Sequence, residues 1–172
     1  MVAHARNPAF FSGCGVPDTV DGRFELICLH AFLYLRRLKR ERPRGEATAQ
    51  RFVDLMFADM DRSLREMGTG DLSVGKQVKL MAQAFYGRIN AYEQGLRGSD
   101  SVLADVLGRN LYGTVSAAAP RLAAMSAYLR REAARLDDRP ADELLAGRVD
   151  FGAPIEPVAD AAPARPLTED AR

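Results

Sequence analysis

The 172-residue chain has two histidines, two cysteines and no tryptophan. Two cysteines in a chain this long do not make a disulfide framework. Two histidines leave few parts for a metal site or for imidazole acid–base chemistry, so the composition points away from an enzyme. Neither sign of charge is in excess: 24 Lys and Arg stand against 23 Asp and Glu, for a net charge of +1. That removes the simplest case for a nucleic-acid binder, which carries a clear basic excess. The expectation is no DNA partner, no small-molecule substrate, no cofactor and no metal. Long apolar runs are also lacking. The longest, Leu26 to Leu35, is broken only by His30, and a run of ~10 residues is too short to span a bilayer. Met1 to Gly22 shows no apolar core of a secretory signal, and Arg6 and Ser12 stand too nearly alone for a transit peptide. The expected location is cytoplasmic, with a peripheral place at the inner membrane as an alternative.

What is present suits a single domain with a sizeable core, since 47% of the residues are apolar. No proline occurs between Arg44 and Ala119, which permits long helices there. Residues 1–20, with Gly13, Gly15 and Pro17, read as a flexible segment, residues 21–150 as an all-α domain, and residues 151–172 as a disordered Pro/Ala-rich tail.

The apolar period between those ends is helical throughout. A first helix is expected from about Asp21 to Arg42, apolar nearly all round in its first half, as a central bundle helix would be. A second runs from about Ala47 to Met67, with Val53, Met56, Met60, Leu64 and Met67 on one stripe and Gly68 as its C-terminal cap. Asp61–Arg65 and Arg62–Glu66 are spaced to pair along its outer side. A third helix, capped by Ser73, carries Val74, Val78, Met81, Phe85, Ile89, Tyr92 and Leu96. Three more are expected at about Ser101–Leu111, Ala117–Leu136 and Pro140–Ala146. The fold class is all-α: one bundle-like domain of about five to six helices with flexible ends.

Few motifs survive scrutiny. Gly70 to Lys76 fits the start of a phosphate-binding loop, but Gln77 replaces the hydroxyl that would hold Mg²⁺ and a helix precedes it where a strand is needed. A helix–turn–helix connection explains Gly68 and Gly70. It leaves Gly75 and Gly87 inside a helix, where close approach by another helix or a partner would account for them. Asp59 and Asp61 resemble a metal-binding pair, yet residues two apart on a helix point about 200° from each other. Cys14, Cys28, His4 and His30 match no zinc spacing. Arg36, Arg37, Lys39, Arg40, Arg42 and Arg44 crowd the end of the first helix with Glu41 as the only acid. They are either a solvated helix end or a docking patch for RNA or lipid phosphate. Most methionines lie inside helices, where a Met-lined groove would be a binding surface for varied apolar segments.

The second and third helices carry a longer pattern. Phe57-Ala-Asp-Met-Asp-Arg-Ser-Leu-Arg-Glu-Met-Gly68, then Gly70-Asp-Leu-Ser-Val-Gly-Lys76 and Ala84-Phe-Tyr-Gly-Arg88, closely resembles the ubiquinol–cytochrome c chaperone family. Asp21-Gly-Arg-Phe-Glu-Leu and Arg109-Asn-Leu-Tyr-Gly113 look like it too, so the resemblance runs from about Asp21 to Leu136. It is that of a bacterial member. The resemblance implies a non-enzymatic assembly factor of ubiquinol–cytochrome c reductase that holds newly made cytochrome b. It also implies a ribosome as a further contact, and the basic patch would suit ribosomal RNA or an anionic membrane surface. The partner-binding candidates it carries over are Asp59, Asp61, Arg62, Glu66, Met67, Gly68, Gly70, Asp71, Gly75, Lys76, Phe85, Tyr86, Gly87 and Arg88, with Lys79 beside them. The alternative is a helical RNA-binding or regulatory interaction protein that uses the basic end of the first helix.

Overall fold

A computed structural model describes residues 1–152 and 165–166. The tail expected to be disordered lies almost wholly outside the described residues. The elements are α1 (Val2–Ala5), α2 (Pro8–Ser12), α3 (Val20–Lys39), α4 (Glu46–Glu66), α5 (Asp71–Arg97), α6 (Asp100–Asn110), β1 (Val115–Ser116), α7 (Ala119–Asp137), α8 (Ala141–Leu145) and β2 (Arg165–Pro166). The two short strands pair antiparallel, and the domain is otherwise helix packed on helix.

Local chemistry sets the boundaries. Thr19 caps α3 by accepting from Gly22 N–H at 3.1 Å. That helix stops at Lys39, short of the expected Arg42, because Pro43 disfavours helical backbone in the residue before it. Gly68 closes α4 with φ of +87°, and Thr69 N–H reaches back to Leu64 O at 3.0 Å. After this tight turn α5 starts at Asp71 with Gly70 as its cap, so Ser73 is in the first turn and is not the expected N-cap. An acidic residue at that start suits the helix dipole.

Two cores result. The larger joins α3, α5, α6 and α7 through Leu26, Leu29, Phe32, Leu33, Tyr92, Leu103, Leu107, Tyr128 and Leu129, all essentially without exposure. The smaller lies under the α4–α5 hairpin and consists of Cys28, Ala31, Met56, Met60 and Phe85.

Residues 1–20 correct the sequence reading. Ala5, Phe10, Cys14 and Val16 are buried in the larger core, not left outside it as a loose segment. Asn7 caps α2 by accepting from Ala9 N–H at 3.0 Å, with Pro8 at the first helical position. Tyr112 Oη donates to Cys14 O at 2.7 Å and fixes the segment from the other side. Burying a side chain the size of Phe10 is worth about 1.5–3 kcal/mol, enough to hold a short segment that has no long helix of its own.

Candidate functional site

A long cleft runs between α3 and the α4–α5 hairpin, in two compartments. The first is a groove of about 600 Å³. Met56 and Met60 of α4, its C-cap Met67, Met81 of α5 and Met1 line it, with Phe24 and Ile27 as part of the α3 wall. The spacing of Met56, Met60 and Met67 along α4 is what places all three on this side. Its lip is apolar and open: Leu55 is 65% exposed, Val20 64% and Met67 59%. Thioether side chains adapt to varied apolar shapes, so the groove suits a greasy segment of loose sequence requirement.

The second compartment, about 590 Å³, meets the first at Val20, Phe24, Leu64 and Met81, which line both. It is more polar. Arg88 of α5 forks onto the buried Glu25 of α3, with Nε to Oε2 at 2.8 Å and Nη2 to Oε1 at 2.5 Å. Burial pushes the Glu25 carboxyl upward in pKa, and Arg88 opposes that shift. Asp21, Arg109 and Asn110 complete the polar lining. Segments distant in sequence converge here: Asp21 to Glu25, Ala84 and Arg88, and Arg109 to Gly113 all contribute side chains or backbone to this wall.

Behind the cleft lies a fully satisfied histidine chain. His30 Nδ1 sits 2.7 Å from Leu26 O, and a carbonyl only accepts, so Nδ1 carries the proton. Its Nε2 then accepts from Tyr128 Oη at 2.7 Å. The same hydroxyl accepts from His4 Nε2 at 2.9 Å. Burial holds the His30 pKa down to about 3 and lowers that of His4 as well. Both imidazoles are structural here, with Phe10 and Phe151 packed edge-on against His30. Burial likewise pushes the Cys28 thiol up, which makes it an inert core residue.

The sequence-derived candidates fall into three places. Asp59, Asp61, Arg62 and Asp71 form outward ion pairs: Asp61 with Arg65 at 2.7 Å as its spacing predicts, but Arg62 with Asp59 and not with Glu66. Arg65 also reaches Asp71, which stitches the Gly68–Gly70 turn. Met67, Arg62 and Asp59 line the methionine groove, Arg88 lines the polar compartment, and Phe85 is buried beneath both. Gly75, Lys76, Lys79, Tyr86 and Gly87 line neither compartment and face outward on α5. Glu66, Gly68 and Gly70 are exposed at the hairpin end.

The basic patch is largely neutralised within the chain. Arg36 pairs with Asp137 at 3.2 Å and Glu93 at 3.5 Å, Arg40 with Asp137 at 2.6 Å, Arg42 with Glu46 at 3.1 Å and Arg44 with Asp142 at 2.5 Å. Arg37 is buried against Glu41 and donates to Leu136 O at 2.9 Å, which docks the end of α7. A phosphate ligand would have to displace these acids, so the geometry weighs against the RNA-binding alternative. Among the described residues no three or more His, Cys, Asp or Glu gather to hold a metal, and no helix is long and apolar enough to cross a membrane. Sequence reasoning missed Glu25 and the α1 residues of the groove wall. A carboxylate inside an apolar helix face was the one signal for Glu25.

The fold is an all-α helical bundle with a cleft of one apolar and one more polar compartment. The family model described as ubiquinol-cytochrome C chaperone matches residues 12–151, and the chain belongs to that family. Ubiquinol-cytochrome-c reductase complex assembly factor 1 of Xenopus laevis is 29% identical over 136 residues, covering 79% of this chain and 68% of the frog protein. The human protein of that name is 29% identical over the same length, and there the chain spans 46% of the relative. A crystal structure of the Cbp3 homolog from Brucella abortus superposes with a TM-score of 0.78 at 38% identity, covering 88% of this chain and 84% of that one.

Proposed function

We propose that this chain is an assembly factor for ubiquinol–cytochrome c reductase, and that its cleft receives an apolar segment of newly made cytochrome b. The methionine groove is the observation that carries the reading, since it opens to solvent with Leu55, Val20 and Met67 at its lip. An exposed apolar surface of that kind marks an interaction site. A membrane subunit outside its bilayer has apolar faces to cover, and an amphipathic helix laid into such a groove covers one. The polar compartment next door accommodates the charged or hydrogen-bonding end of the same segment. Action by binding and release needs no reacting group. Family membership and the assembly-factor names of the relatives support this reading.

A photo-crosslinking residue in place of Leu55 or Met67, in cells making cytochrome b, is expected to capture cytochrome b before the complex assembles. Leu55→Glu should abolish the adduct from position 67 and reduce assembled complex without unfolding the protein. Normal assembly with Leu55→Glu, or adducts only to other proteins, would overturn the proposal.

A further inference from the structure

The outer face of α5 combines exposed lysines, glycines and apolar groups. The ion pairs of the described residues all use arginine, whereas Lys39, Lys76 and Lys79, the three lysines of the chain, make none among those residues. Two of them lie on α5. At about 100° per residue, Leu72, Gly75, Lys76, Lys79, Tyr86 and Gly87 fall within about 60° of one line along that helix. All are exposed, Leu72 at 101% and Tyr86 at 53%. Tyr86 carries the face onward to Lys39, with which it shares a shallow groove between α3 and α4.

Gly75 and Gly87 give this face its shape. A Cβ added to either would meet nothing within 4 Å, so no contact inside the fold requires glycine there. The missing side chains leave bare helix backbone between lysines and apolar groups, the surface that a second helix approaches closely.

We propose that this face docks an acidic, amphipathic helix of a partner protein, at a site separate from the cleft. The unpaired lysines call for carboxylates. Leu72 and Tyr86 call for apolar groups between them, which a nucleic-acid backbone does not supply. On a helix made for a lipid surface the charged and apolar residues occupy opposite sides; here they interleave on one side.

The test uses the full chain and a labelled synthetic helix with a Leu/Ala face bordered by glutamates. Its counterpart carries lysine at every glutamate. Poly(U) RNA and phosphatidylglycerol-containing vesicles serve as the other ligands. The acidic helix is expected to bind, and the basic one not. The double variant Lys76→Glu, Lys79→Glu should weaken binding roughly tenfold or more, as expected when attraction becomes like-charge repulsion. Gly75→Leu should weaken it with charge unchanged, and neither variant should melt below the parent. Leu55→Glu, which tests the cleft, should leave this binding intact, so the two readings fail separately. Absence of acidic-helix binding, equal binding by the variants, or a lysine-dependent interaction confined to RNA or vesicles would overturn the proposal.

Discussion

Around α3, α6 and α7 the interior is mostly leucine, phenylalanine and tyrosine at essentially zero exposure, with the single methionine Met125 among them, and Tyr34 Oη donates to Leu144 O at 2.7 Å. Under α4 and α5 the interior is two methionines at 9% exposure, an alanine, a cysteine and one phenylalanine, with an open groove alongside. Branched and aromatic side chains interdigitate in one arrangement and hold a frame. Flexible thioethers tolerate several arrangements. The chain thus keeps its specific packing where helices must stay fixed and its adaptable packing where a guest would enter.

The largest expected contrast is in stability. Phe32→Ala, in the larger core, should cost about 3–5 kcal/mol. Met60→Ala should cost about 2 kcal/mol, the low end for such truncations, because an open neighbour lets the site collapse. Denaturant titration of both variants measures the difference, and equal losses would break the contrast. A cooperative loss in both, with one shared transition, would still mark a single folding unit.

Acid should act through the larger core next. His30 is held at about 3 when folded, against about 6.5 unfolded, so the unfolded chain binds the extra proton. Its contribution is therefore complete above about pH 6.5 and falls by about 1.4 kcal/mol per pH unit below it, until the folded value is reached. His4, also lowered by burial, adds in the same direction with less weight because it is only partly buried. Stability measured at pH 7 and 5.5 should drop in the parent and in Met60→Leu. It should drop less in His30→Gln, which starts lower; an unchanged slope there would remove His30 as the cause.

The helices α3 to α8 are legible because their apolar periods and their Gly and Pro stops are local signals. Residues 1–20 were not, because α1 and α2 are too short to show a period and are held by distant partners, Tyr112 and Tyr128. The same division runs through the cleft. Met56, Met60 and Met67 can be placed on one side of α4 from spacing alone. Glu25 facing Arg88, across 63 positions of sequence, cannot. Nor can the neutralisation of the basic patch, since Asp137 and Asp142 arrive from the far end of the chain. Spacing on one helix is written in neighbours, whereas pairing between helices depends on the finished packing.

The smallest expected effect has the opposite sign. Gly75 and Gly87 sit in the interior of α5 with ordinary helical backbone and open space around them. Alanine in a helix interior is favoured over glycine by about 1 kcal/mol, because glycine gives up more backbone freedom on folding. Gly75→Ala and Gly87→Ala should therefore each stabilise the protein by up to about that amount, in the hairpin region where Met60→Ala destabilises it. A glycine kept where alanine would be more stable is a cost with no return inside the fold. If either variant melts lower than the parent, the glycine answers to a constraint within α5 and not to a partner. If both melt higher while the acidic helix binds less well, stability and docking oppose each other at the same two positions, as an interface on α5 requires.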